Sequence, residues 1–260
     1  MTGRLEVDDV RIWFGGVKAV DGISLTVRAG EVHGVVGPNG SGKTTLVNAI
    51  SGLQPLTGGR LHLDGTDLTG APAHAVSRAG ISRTFQSIKL LPTLTVRENV
   101  LLGADGRTPG AGTAAGRVPF GRAARRQVSA AAAQVADDAL DRLEIRHLAD
   151  RNPEELSYGT RRRIEIARAL AAHPSLLLLD EPLAGMNRGE RAEVAGVIRR
   201  LGDEGLTLLV VEHDLRTLLG ICDHLFVMNF GRLIAQGPPR ETAAGPEVQE
   251  AYLGRARGAA

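Results

Sequence analysis

The sequence predicts an α/β fold, with a parallel sheet buried on both faces at its centre and an antiparallel β portion drawn from the N-terminal third. Three observations carry this. Residues 176–179 and 206–211 are short apolar runs, the pattern of parallel strands covered on both faces, and residues 188–201 between them read as the crossover helix. Residues 4–36 and 60–68 alternate apolar with polar side chains and are punctuated at Gly15-Gly16, Ala29-Gly30 and Asp64-Gly65, which reads as short, partly antiparallel strands. Residues 37–44 form a glycine-rich loop between an apolar run at 32–36 and a helical stretch that stops at Gly52.

The remaining elements follow in order. Residues 70–100 mix short helix-like and strand-like pieces around Thr84-Phe85-Gln86, and residues 103–121 are largely Gly, Ala, Thr and Pro without periodicity, so they are predicted to be a mobile loop. Val128, Ala132, Val135, Ala139 and Leu143 recur at helical spacing and predict a helix over 123–145 with a core-facing stripe. A second helix over 159–172 is halted by Pro174, whose ring cannot continue it. No internal repeat is visible, and residues 254–260 read as a loose tail.

Composition narrows the function classes. At 260 residues the chain suits one large domain or a core with a smaller subdomain. A formal charge of +2, with arginines scattered among acids, gives no case for a nucleic-acid partner; the Arg-rich stretch 122–126 is the one local exception. The single Cys222 cannot form an internal disulfide and fits a reducing compartment, as a small buried side chain. No run of eighteen apolar residues exists and the N-terminus is charged, so the chain is expected to be soluble by itself, and any membrane role needs another chain to do the spanning.

The chemistry begins at residues 37–44, Gly-Pro-Asn-Gly-Ser-Gly-Lys-Thr. Glycines let successive backbone N–H groups turn toward phosphates, the following helix N-terminus adds partial positive charge, Lys43 reaches the terminal phosphates and the Thr44 hydroxyl can ligate Mg²⁺. A glycine-rich turn with a surface lysine is the bland alternative; the strand before the loop and the Lys-Thr at its end weigh against it. Only Lys18, Lys43 and Lys89 are lysines, so one of three sits where a compact ammonium is preferred to a planar fork. The run 176–179 then ends in Asp180-Glu181-Pro182, and alternation points the two carboxylates apart. Asp180 is expected to face Mg²⁺ and its waters, and Glu181 the terminal phosphate, where a base or water-orienting group is needed.

Leu156-Ser157-Tyr158-Gly159-Thr160, followed by Arg161, Arg162 and Arg163, resembles the signature motif of the ATP-binding cassette (ABC) ATPases, and lies upstream of the acidic strand by the spacing that family shows. The resemblance extends over most of the chain and implies residue roles. Gly37, Pro38, Asn39, Gly40, Ser41, Gly42, Lys43, Thr44 and Thr45 are expected to bind ATP, with Phe14 stacking on adenine and Trp13 beside it in the core. Gln86 matches the Q-loop glutamine, a contact for Mg²⁺ or the attacking water; His213 matches the switch histidine, a γ-phosphate contact. Thr44, Gln86 and Asp180 are the implied metal contacts, and Glu181, His213 and Gln86 the catalytic ones. Ser157, Tyr158, Gly159 and Thr160 would act in trans on the nucleotide of a partner subunit, and residues 183–187 occupy the D-loop. Residues 152–159, 184–187, 212–214 and 251–254 resemble the ATPases of branched-chain amino-acid importers, while Thr160 departs from the glutamine usual there.

The implied fold is a nucleotide-binding domain over 1–254, with a P-loop core, an antiparallel β subdomain, a helical subdomain at about 87–165, and a tail at 255–260. The implied partners are a second ATPase subunit, unlike or identical, transmembrane permease subunits and, indirectly, an extracytoplasmic solute-binding protein; the implied location is the cytoplasmic face of the membrane. Two rivals stand beside it. A non-transport ABC protein would carry two cassettes or a long coiled coil, for which the chain has no room, and a small-molecule P-loop kinase leaves residues 153–163 and 213 unexplained.

Overall fold

The computed structural model describes residues 3–104 and 122–253, which divide into two compact units. The first takes its residues from 1–83, 175–184 and 198–260, the second from 84–174 and 185–197.

In the first unit, β1 (Leu5–Phe14), β2 (Val17–Val27), β4 (Gly58–Leu63) and β5 (Thr66–Asp67) form an antiparallel sheet of order β2-β1-β4-β5. A six-stranded sheet has the order β10-β9-β3-β8-β7-β6, built from β3 (Val32–Val36), β6 (Ile81–Arg83), β7 (Leu176–Asp180), β8 (Thr207–Glu212), β9 (His224–Asn229) and β10 (Arg232–Gly237). The pairs among β6, β7, β8, β3 and β9 are parallel, and only β9–β10 is antiparallel. Every residue of β3, β7 and β8 is buried, as their apolar runs require. Parallel pairing puts the C-terminal ends of these three strands at one edge, where ligands bind in open α/β sheets. Leu5, Ile12 and Leu61 from one sheet and Val35, Leu178 and Phe226 from the other join Leu46 and Ile50 of α1 (Lys43–Ile50) in one apolar core.

Around these sheets lie α2 (Ala73–Ala79), α7 (Leu215–Leu218), α8 (Pro239–Ala244) and α9 (Pro246–Leu253). The crossover α6 (Arg188–Asp203) joins β7 to β8 and is divided between the two units after residue 197.

The second unit is helical among its described residues: α3 (Val96–Ala104), α4 (Arg122–Arg142), two 3₁₀ turns (Arg146–Leu148 and Pro153–Glu155), α5 (Tyr158–Leu170) and the start of α6. Of the stripe predicted on α4, Ala132, Ala139 and Leu143 are buried and Val135 half-buried, while the Val128 side chain lies outside the described residues. Ala136 and Leu140 widen the buried face. Asn99, fully buried on α3, satisfies its amide by donating to the carbonyls of Leu91, Leu94 and Thr95 and accepting the Leu91 amide at 2.8 Å.

Two expectations need correction. Gly103 and Ala104 are not loop but the last turn of α3; a Cβ on Gly103 would meet the Arg168 carbonyl oxygen at 1.9 Å, so glycine there serves close packing on α5. The rest of the predicted mobile loop, 105–121, and the predicted tail, 254–260, lie outside the described residues. Trp13 is not in the core: it is 39% exposed, with Lys18 Nζ 5.0 Å from its ring centre. Val10 and Ile12 point into the core, so alternation along β1 turns Trp13 to the opposite, outer face.

Candidate functional site

The glycine-rich loop leaves the C-terminal end of β3 and enters α1. Gly42 caps that helix with φ +99°, and a Cβ there would stand 2.2 Å from the Ala19 carbonyl oxygen, so only glycine lets the loop close down on β2. Lys43 is buried, its Nζ donating to the carbonyls of Gly37 at 2.7 Å and Pro38 at 3.0 Å, which points the ammonium back across the loop. The Ser41 amide donates to Pro38 and its carbonyl accepts from Gly231, tying the loop to the β9–β10 turn. The buried Ser41 hydroxyl has no hydrogen-bond partner among the described residues. Asn39, Gly40 and Thr44 are exposed, and Thr45 is half-buried.

Asp180 ends β7 with its side chain 3% exposed, and Oδ2 accepts a bond from Arg83 Nη2 at 2.7 Å. The other arm of the Arg83 fork donates to Asn48 Oδ1 at 2.7 Å and Ser51 Oγ at 3.0 Å, both at the C-terminal end of α1. One guanidinium therefore joins the helix that leaves the loop to the acidic strand end. Glu181 follows with φ +46°, a left-handed conformation that costs a non-glycine residue roughly 1–3 kcal/mol. Its amide donates to the Val211 carbonyl at 2.9 Å, so the turn is pinned to β8 and the carboxylate leaves the strand direction. His213 Nδ1 lies 3.9 Å from Glu181 Oε2 and 3.7 Å from Glu212 Oε2.

Glu212 was not singled out by sequence. It is buried, accepts the Leu183 amide at 3.0 Å, and burial pushes its carboxyl above the ordinary glutamate value, with Glu181 adding to the rise. Its position one residue before His213, at the end of a buried strand, was the available signal. Phe14 closes β1 with 49% exposure, an open aromatic face at the hairpin end.

The second unit holds the other predicted residues. Ser157 caps α5, its hydroxyl accepting the Thr160 amide at 3.3 Å, so residues 157–160 form the first turn of a 13-residue helix. Thr160 is 9% exposed and its hydroxyl lies 3.2 Å from that of Ser157; a threonine here closes on its own helix cap rather than reaching outward as glutamine can. The Gly159 amide donates to Glu190 Oε1 at 3.1 Å, and Glu190 also accepts from Asn187 at 3.3 Å, holding its carboxyl below the ordinary value. A Cβ on Gly159 would stand 2.9 Å from Glu190 Cβ, which is why the two chain segments can meet here. Gln86 is exposed, and its carbonyl accepts from Arg162 Nη2 at 2.7 Å. Sequence reasoning missed Arg83, Arg162 and Glu190 as site neighbours, since their partners lie 31 to 97 residues away.

The first unit thus gathers the loop, Asp180, Glu181 and His213, and the second gathers residues 157–160 with Gln86. A glycine cradle with exposed backbone, a lysine aimed across it and a helix N-terminus beneath it fit a polyphosphate. Thr44 and Asp180 offer hard oxygen donors suited to Mg²⁺. Among the described residues no group of three or more His, Cys, Asp or Glu side chains converges on one point. No described helix is long and apolar enough to cross a membrane.

Comparison with known proteins gives a consistent result. The profile of the ABC transporter family matches residues 20–184. The chain is 38% identical over 255 residues to a high-affinity branched-chain amino acid transport ATP-binding protein of Pseudomonas aeruginosa, covering 97% of this chain and 98% of that one. Its fold is similar to an ATP-binding cassette of an ABC transporter solved in the ADP conformation, with TM-score 0.82 and 34% identity over 98% of this chain and 100% of the other. It is also similar to a bacterial ABC transporter cassette solved as a dimer, with TM-score 0.74 and 25% identity over 91% of this chain and 99% of that one.

Proposed function

The chain belongs to the ABC transporter family, and from that premise we propose that it powers an importer of branched-chain amino acids or related small solutes. It is an ATP-binding subunit and an ATPase of that family. The single observation that carries the import reading is the likeness, along nearly the whole of both chains, to a branched-chain amino acid transport protein. The segments 152–159, 184–187, 212–214 and 251–254 point the same way. The chain reads as one nucleotide-binding domain over 1–254, with a helical subdomain at about 87–165 and a tail at 255–260.

In this reading residues 37–45 and Phe14 hold ATP, with Lys43 leaving its loop carbonyls for the terminal phosphates. Mg²⁺, when bound, neutralises charge on the β- and γ-phosphate oxygens; Thr44, Gln86 and Asp180 are the residues that would hold it or its waters. Glu181 accepts a hydrogen bond from the attacking water and orients it. A bond forms from water oxygen to the γ-phosphorus as the bond to the bridging oxygen breaks, and ADP leaves with that oxygen. His213 contacts the γ-phosphate and, through its neighbourhood with Glu181, ties that contact to the water-orienting group. Ser157 and Gly159, with Tyr158 and Thr160 shaping the same turn, complete the site of a second ATPase, identical or unlike.

ATP binding closes the pair head to tail, and hydrolysis reopens it. The motion passes to transmembrane permeases that hold the chain at the cytoplasmic face, and an extracytoplasmic solute-binding protein delivers the cargo; we assign no nucleic-acid partner. The reading is tested by purifying the chain with its native complex, reconstituting that complex in proteoliposomes, and measuring ATP-driven uptake of leucine, isoleucine and valine. Saturable uptake that Glu181→Gln abolishes supports it. ATP hydrolysis stimulated by a chemically unrelated solute, with no amino-acid uptake, would refute the cargo assignment.

A further inference from the structure

We propose that Arg162, held by Glu165 and assisted by Arg168, is the positioning residue for Gln86, so that the helix bearing residues 157–160 also sets where Gln86 stands. The proposal rests on the reading of Gln86 as a contact for the metal or the attacking water. Arg162 is the largest fully buried side chain among the described residues. Its Nη1 donates to the Phe85 carbonyl at 2.7 Å and its Nη2 to the Gln86 carbonyl at 2.7 Å, so one planar fork serves two successive peptide units. Glu165 balances the charge at 2.9 Å and accepts the Lys89 amide at 2.7 Å, and Arg168 Nη1 donates to the Lys89 carbonyl at 2.7 Å.

The backbone on both sides of Gln86 therefore ends on one face of α5, at positions spaced i, i+3 and i+6. A buried ion pair is a costly way to gain stability, because each charge must leave water. What it supplies here is direction: both arms of the fork end on backbone carbonyls, those of Phe85 and Gln86. The guanidinium also lies 3.3 Å from the Tyr158 hydroxyl, so one group touches the signature turn and the segment that carries Gln86. A displacement of α5 is then delivered to Gln86 without passing through the chain between residues 90 and 157.

The test is a double-mutant cycle on the full chain in its purified transporter complex. Arg162→Lys keeps the charge and the Glu165 partner, but one ammonium cannot reproduce the fork. Turnover, ATP affinity by equilibrium dialysis, the thermal midpoint and amide exchange over 85–89 are measured for wild type, Arg162→Lys, Gln86→Ala and the double variant. Turnover in Arg162→Lys should fall about 10- to 100-fold, the loss a misplacement near 1 Å produces, with ATP affinity held within about twofold. The Lys89 amide should exchange faster, and the double variant should be no slower than Gln86→Ala alone. Losses that multiply in the double variant, or normal turnover in folded Arg162→Lys, would overturn the proposal. Wild-type turnover in Gln86→Ala would refute the reading of Gln86 itself, and the proposal with it. Should Arg162→Lys not fold, Arg168→Gln releases the Lys89 carbonyl and the 3.4 Å contact with Glu165 while leaving the Arg162 fork in place, and runs through the same cycle, with a loss of about three- to tenfold and the same non-additivity expected.

Discussion

Replacing Arg83 by methionine should damage the fold at the acidic strand end, by an amount that follows from what the guanidinium holds. Its side chain is 8% exposed and that of Asp180 3% exposed, and they meet at 2.7 Å. Methionine fills much of the same volume but leaves the Asp180 carboxylate buried with its cationic partner gone, a change that costs about 3–5 kcal/mol. The bonds to Asn48 Oδ1 and Ser51 Oγ go as well, although these groups retain some access to other partners. For a chain of this length the loss corresponds to a fall in thermal midpoint of about 6–20 °C. The decisive arm is the double variant Arg83→Met with Asp180→Asn. With both charges removed, most of the loss should return, and the coupling between the two substitutions should exceed about 1.5 kcal/mol. Urea titrations of the four proteins without nucleotide measure it. A single-variant loss below about 1 kcal/mol, or additivity in the double variant, would show that the pair is not the strut described here.

Lys43→Met removes an ammonium that bonds two loop carbonyls and should weaken ATP binding by about 2–4 kcal/mol, roughly 30- to 700-fold by calorimetry; near-normal affinity would count against the phosphate cradle. Gly159→Ala places a Cβ 2.9 Å from Glu190 Cβ and must push the two segments apart, so ATP-dependent association in sedimentation should weaken about tenfold while ATP binding to the single chain holds. Glu212, with its carboxyl raised by burial, keeps a proton in the native state that the unfolded chain has released, so its contribution to stability falls as pH rises from the ordinary glutamate value through the raised native one. Glu212→Gln should flatten that share of the pH dependence of unfolding, and an unaltered slope would contradict the assignment.

What was legible in the sequence is what short-range physics determines. The turn at 37–44 is readable because glycines, a lysine and a hydroxyl must stand at fixed spacing between a strand and a helix, and the strand end at Asp180 because a fully apolar run stops at two carboxylates. The crossover and its two parallel strands followed from the same runs. Contacts between distant segments were not legible. Arg83 meets Asp180 across 97 residues and Glu190 meets Gly159 across 31, and nothing local to either partner announces the other. Trp13 was placed in the core because the phase of β1 was not read: Val10 and Ile12 face inward, and alternation from them turns Trp13 outward. Strand β9, His-Leu-Phe-Val-Met-Asn, went unread because its histidine and asparagine break the apolar run, although four residues between them are buried. Glu181 illustrates the boundary: its place in the chain is plain, while the left-handed backbone that turns it out of the strand is visible only in three dimensions.

The most direct test of the account is Glu181→Gln, measured beside wild type for ATP affinity, hydrolysis and association state. Glutamine keeps the size and hydrogen-bonding reach of the side chain and removes its basic carboxylate. Turnover should fall by about 10² to 10⁴ while ATP still binds, so the variant should accumulate as an ATP-bound dimer with its cognate ATPase or with itself. Hydrolysis near the wild-type rate by the folded variant would contradict the assignment of Glu181 as the group that orients the attacking water.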